Sequence, residues 1–74
     1  MILILSPNTD PQGGEYRQLT AHLAGLQGIR TRVHTERGTE QTLTEIYLIG
    51  NSKALDIDDM QNLPCVERVV RVSE

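Results

Sequence analysis

The chain has 74 residues, a single cysteine, no tryptophan or phenylalanine, and ten acidic against seven basic side chains, for a formal charge of −3. One cysteine excludes an internal disulfide, and no Cys and His cluster has zinc-site spacing. The acidic balance opposes sequence-independent nucleic-acid binding, which needs a basic field to displace counterions.

Residues 1–74 amount to one domain. A chain this short buries only roughly 60% of the surface that its unfolded form exposes. Its core rarely supplies more than about 3–5 kcal/mol. With no disulfide or metal to staple it, pairing with a second copy or docking on a larger body is expected. The apolar run Ile2 to Leu5 is closed at once by Ser6-Pro7. It lacks a positive leader region and is too short for a signal peptide or a membrane span, so a cytoplasmic location is expected.

In chain order, Ile2-Leu3-Ile4-Leu5 reads as a central strand buried on both faces. Thr9 and Gln12 have capping-box spacing around Pro11, and Gly13-Gly14 moves the helix start toward Glu15. Tyr16, Leu19, Leu23 and Leu26 then form one apolar helical stripe, with Gly28 as the residue past the helix end. From Ile29 to Glu36 the period becomes two. Ile29, Thr31, Val33 and Thr35 share one face; Arg30, Arg32, His34 and Glu36 share the other. Such a charged face, which discourages edge pairing, marks an edge strand.

Arg37 to Glu40 forms a turn, and Leu43 to Ile49 the third strand. Asp56 caps a short helix whose inner side is Ile57, Met60 and Leu63, and Pro64 stops it. Val66 to Val72 is the last strand. The order β-α-β-β-α-β predicts an α+β, ferredoxin-like fold: a four-stranded antiparallel sheet with two helices on one face.

Three strands look apolar on both faces, although helices cover only one. Ile2 and Ile4 oppose Leu3 and Leu5; Ile46 and Leu48 oppose Tyr47 and Ile49; Val66, Val70 and Val72 oppose Val69. An uncovered antiparallel sheet alternates more cleanly. A partner is therefore expected on the second face, through residues such as Tyr47, Ile49 and Val69.

No enzyme signature emerges. Asp56, Asp58 and Asp59 read as a helix cap and first-turn acids. Gly13-Gly14 lacks the lysine of a phosphate loop and the spacing of a dinucleotide fingerprint. Cys65 reads as a small buried thiol without a base, and His22 as a solvated residue. An RNA-recognition module of this topology stacks bases on sheet aromatics, and Tyr47 alone is available. A small acylphosphatase-type enzyme needs an arginine in an anion-cradling loop after the first strand, and Ser6-Pro7-Asn8-Thr9 has none. No catalytic residue, metal ligand or cofactor is assigned.

The C-terminal run from Leu63 to Val72, LPCVERVVRV, is the most distinctive stretch. It closely resembles the end of the N-terminal ferredoxin-like domain of type Iβ 3-deoxy-7-phosphoheptulonate (DAHP) synthases. The opening MILILSP, His34 followed by Gly38 in an HxxxG turn, Ile49-Gly50, and Ala54 to Asp56 extend the resemblance over essentially the whole chain. The stretch from Gly38 to Gly50 is longer than the family's usual turn, and Asn51 stands where Asp is common.

The resemblance implies a non-catalytic regulatory domain of the first enzyme of the shikimate pathway. In that family the domain precedes a (β/α)8 barrel that condenses phosphoenolpyruvate with erythrose 4-phosphate and holds all catalytic and metal-binding residues. Some members bind an aromatic amino acid between domains of neighbouring subunits. By that resemblance the effector is Tyr or Phe, its site includes His34 and the Gly38 turn, and the partner is a second copy or the barrel; Arg32, on the same outward strand face as His34, is expected to add a cation for the effector's carboxylate. With the sequence ending at Glu74, the expectation is either an excised or stand-alone copy or a module that serves another system. The rival expectation is a ligand-free interaction or propeptide-like module of the same fold.

Overall fold

The computed structural model describes residues 1–71. Strand β1 (Ile2–Leu5) leads to helix α1 (Gly14–Ala24), then to β2 (Ile29–Arg37) and β3 (Thr42–Gly50). A short 3-10 turn (Ser52–Ala54), helix α2 (Ile57–Gln61) and strand β4 (Val66–Val70) follow. The sheet order is β2-β3-β1-β4, with every neighbouring pair antiparallel. This is the ferredoxin-like α+β arrangement expected from the element order, with β2 and β4 at the edges. No helix of the described residues is long and apolar enough to cross a membrane.

Alternation along β1 and β3 builds the core. Leu3 and Leu5 of β1 and Ile46 and Leu48 of β3 are buried, and Leu3 stands opposite Ile46. Leu19 and Leu23 of α1 and Met60 of α2 close over them, with Tyr16, Leu26, Ile57 and Leu63 packed at the margin. Each buried leucine is worth about 1.5–3 kcal/mol relative to exposure, so these few side chains carry most of the domain's stability.

The ends of α1 differ from expectation at two points. Thr9 does not cap α1: its hydroxyl donates to the Ser6 carbonyl at 2.6 Å, while the Gln12 N–H donates to Asp10 Oδ1 at 2.9 Å. These local turns consume the polar groups of the expected capping box, and Gly13 becomes the N-cap without a side-chain bond. At the other end, α1 stops at Ala24 with Gly25 as its C-cap, so Gly28 is not its terminator. Gly28 instead has φ +74° at the entry to β2. Asp56 does cap α2, its carboxylate accepting from the Asp58 N–H at 2.8 Å.

The last strand carries the largest correction. The β1–β4 register shifts between Ile4 and Leu5: Ile4 stands opposite Arg68, whereas Leu5 stands opposite Val66. The extra residue at Glu67 re-phases the strand, as a bulge does. Val66 and Val69 therefore both fall on the helix side, where Val69 faces Leu3 and packs on the core. Val69 is not on the open face. Arg68 and Val70 are, and Val72 lies outside the described residues.

Candidate functional site

The sheet face opposite the helices is assembled by register. One row across it reads Arg32, Tyr47, Ile2 and Val70; the next reads His34, Glu45, Ile4 and Arg68. Arg30 opposite Ile49 and Glu36 opposite Leu43 flank these rows. An apolar strip thus runs over β1 and the end of β3, bordered by charged side chains of β2. Ile49 is 46% exposed, whereas Tyr47, Ile2 and Ile4 are half-buried.

Two polar contacts organise the strip. The Tyr47 hydroxyl donates to Glu45 Oε2 at 2.9 Å, joining neighbouring positions of one strand face. That bond, and the negative charge that accepts it, hold the Tyr47 phenol above its ordinary pKa, with the Arg32 guanidinium opposing. His34 Nε2 lies 4.0 Å from Glu36 Oε1, with both side chains largely exposed. A pair so exposed contributes little to stability.

Of the residues singled out from the sequence, the register brings Arg32, His34, Tyr47 and Ile49 onto one face. Gly38 is not brought beside them. It sits in the β2–β3 turn, roughly 13 Å along the strand from His34. Its N–H is already engaged, donating to the Gln41 carbonyl at 2.9 Å. The Tyr47–Glu45 bond was missed from the sequence, although the period-two spacing of positions 45 and 47 on one face is the signal that could have found it.

Two concavities of the surface lie elsewhere, around the loop between β1 and α1. One, of about 320 Å³, is bounded by Ser6, Gly14, Glu15 and Cys65. The other, of about 920 Å³, runs past Tyr16 to Thr35, Arg37 and Thr44. Both are open grooves, and none of Arg32, His34, Gly38, Tyr47, Ile49 or Val69 lines either. Asn8, at φ 61°, ties this loop to the hairpin: its N–H donates to the Thr42 carbonyl, and its Oδ1 accepts from the Thr42 N–H, each at 2.9 Å.

Cys65 adopts φ 66° just before β4, its carbonyl accepting from the Ser6 N–H at 2.8 Å. Its thiol is half-buried, with Glu15 Oε2 3.9 Å from Sγ. Burial pushes the thiol pKa up, and the Glu15 carboxylate raises it further. A thiol so placed is a poor nucleophile, because the thiolate is the reactive form. Among the described residues no three His, Cys, Asp or Glu side chains group in a way that could hold a metal ion.

Neither a curated protein nor a solved structure matches the sequence. The family described as the DAHP synthase ferredoxin-like domain matches it over residues 1–74. With every residue covered, and with the β-α-β-β-α-β order and antiparallel sheet in place, the chain belongs to the DAHP synthase ferredoxin-like domain family.

Proposed function

We propose that this chain is a regulatory and assembly module for DAHP synthase chemistry, at the entry to aromatic amino acid biosynthesis, and that it turns over no substrate alone. It pairs with a second copy or docks on a (β/α)8 catalytic domain, and an aromatic amino acid, Tyr or Phe, binds at the resulting junction. The observation that carries the reading is the open-face row in which Arg32 stands beside Tyr47, with His34 in the next row and Ile49 exposed. Arg32 supplies a charge-assisted donor for a carboxylate. The His34 imidazole supplies one further hydrogen bond, and Tyr47 and Ile49 an apolar bed for an aromatic ring.

Regulation then follows from linkage: an effector that binds the docked arrangement more tightly than the open one favours docking by the same factor. Differential affinities of about 1–3 kcal/mol are typical of such coupling. Calorimetry with Tyr and Phe at millimolar concentration tests the site. Loss of one hydrogen bond costs about 0.5–1.5 kcal/mol, so His34→Ala should weaken binding by several-fold to tenfold. Equal binding by both proteins removes His34 from the site, and no binding by either removes the effector.

One observation favours a second reading, a ligand-free interaction module. Two grooves of the surface lie by the β1–α1 loop, and neither is lined by Arg32 or His34. Under that reading the apolar strip serves protein contact alone, and calorimetry is silent while association persists.

A further inference from the structure

Strand β2 is an outer strand of the sheet, and every residue in it after Ile29 is exposed. Two flanking bonds fix which way its backbone groups point. The Asn51 N–H donates to the Gly28 carbonyl at 3.2 Å, and the Gly38 N–H to the Gln41 carbonyl at 2.9 Å. Both fall in the unbroken register that sets Ile29 opposite Gly50 and Arg37 opposite Thr42. Bonded and non-bonded pairs alternate along an antiparallel ladder. Even-numbered residues from Gly28 to Gly38 therefore bond to β3. The donation from the Leu48 N–H to the Met1 carbonyl agrees, since it turns the even positions of β3 toward β1. The odd-numbered residues Ile29, Thr31, Val33, Thr35 and Arg37 aim their N–H and C=O groups away from the sheet.

We propose that this edge pairs antiparallel with β2 of a second copy, about a two-fold axis at Val33, to make one continuous sheet through both domains. Val33 is the midpoint of the strand Ile29–Arg37, so a two-fold there engages its whole length. The parity is right: Val33 meets Val33, Thr31 meets Thr35, and every outward-pointing residue meets another. The charges are right as well. Arg30 of each copy crosses Glu36 of the other, and opposite charges directly across a strand pair are favourable. Arg32 faces the His34 imidazole, which Glu36 and Glu45 flank.

Neighbouring registers of the same parity do worse. A slip one way sets Arg32 against Arg32; a slip the other way pairs Arg32 with Glu36 but sets His34 against His34, leaves Arg30 against Gly38 and shortens the paired stretch at both ends. Paired length and charge together thus favour the register centred on Val33, in which the same charges deter indiscriminate edge pairing. Val33, 48% exposed in the single chain, is covered by its own copy at the centre. This pairing involves no effector and uses the strand edge rather than the apolar strip of the open face; Arg32 and His34 figure in both, but the crossings tested below, Arg30 and Glu36, belong to the pairing alone.

Sedimentation velocity on the intact chain from micromolar to millimolar concentration tests the pairing. The expected result is a concentration-dependent dimer. Arg30→Glu alone and Glu36→Arg alone each place like charges at both crossings and weaken association by about tenfold or more. An equimolar mixture of the two variants restores it, because opposite charges then meet at each crossing. Val33→Pro deletes an outward donor that β3 does not use, an edge position where proline is tolerated. It should abolish the dimer while thermal unfolding by circular dichroism stays close to that of the native chain. A monomer at every concentration overturns the proposal. So does a mixture that associates no better than its components, a result independent of whether Val33→Pro folds. Association lost in Ile49→Glu but retained in Val33→Pro would overturn it in favour of the open face.

Discussion

Gly50 closes β3 at φ +117°, a conformation that side-chain-bearing residues rarely adopt. A Cβ there would press into the Gly28 carbonyl oxygen, well inside van der Waals contact, with Ile29 Cα 3.6 Å away. Gly50→Ala therefore faces two costs at once. Positive φ alone costs an L-residue roughly 1–2 kcal/mol. Relief of the clash must part the start of β2 from the end of β3, sacrificing the Asn51 to Gly28 bond, with a net loss of about 1 kcal/mol. The sum, about 2–3 kcal/mol, is a large part of what a core this small provides. In a domain of this length 1 kcal/mol shifts the melting temperature by about 4–8 °C, so Gly50→Ala should melt about 10–20 °C lower. Gly14→Ala is the control: its Cβ meets nothing within 4 Å, and it should stabilise by about 0.4–1 kcal/mol through the unfolded chain. Melting followed by circular dichroism measures both. A Gly50→Ala variant within a few degrees of the native chain would refute the strain argument, and with it the claim that this glycine pair sets the β2–β3 register under Arg32 and Tyr47.

Two further expectations concern alkaline pH. The Tyr47 phenol, raised by its bond to Glu45, should ionise later than in the unfolded chain, and Glu45→Gln should bring it down; an ultraviolet titration unchanged by Glu45→Gln would dispose of that bond. Because the folded value lies above the unfolded one, the stability linked to this group is complete below the ordinary tyrosine pKa and is lost as pH rises through the raised value. Cys65 has the same sign: its linked stability is present below the ordinary thiol pKa and fades above it. Iodoacetamide should therefore alkylate Cys65 several-fold more slowly in the native chain than in urea at mildly alkaline pH. Glu15→Gln should speed the native reaction, and a native rate equal to that in urea would contradict the assignment.

Periodicity made most of the fold legible. The central place of β1, the stripe Leu19–Leu23 and the charged face of β2 were each readable, although β1 is fully buried on one face only, with Ile2 and Ile4 half-buried on the other. Where the reading failed, local hydrogen bonds had overruled pattern. Thr9 looked like a cap but turned back on Ser6, and Gly28 looked like a helix end but serves the entry to β2. Val69 was assigned by strict alternation, and a single extra residue at Glu67 reversed its face. That is intrinsic to a period of two, in which a shift of one residue exchanges the sides. The candidate site was legible to the extent that it rests on strand parity, as with Arg32 and His34. Gly38 was drawn in by the family resemblance of the HxxxG turn, but extended backbone separates it from His34. The Tyr47–Glu45 bond needed rotamers as well as parity.

The central claim is an effector site on the open face, and nuclear magnetic resonance of the uniformly ¹⁵N-labelled chain during titration with tyrosine or phenylalanine tests it residue by residue. The account predicts saturable shifts of the amides of Arg32, His34, Glu45, Tyr47 and Ile49, reduced in His34→Ala. Shifts confined to the groove of Tyr16, Thr35 and Thr44, or none at millimolar effector, would contradict it.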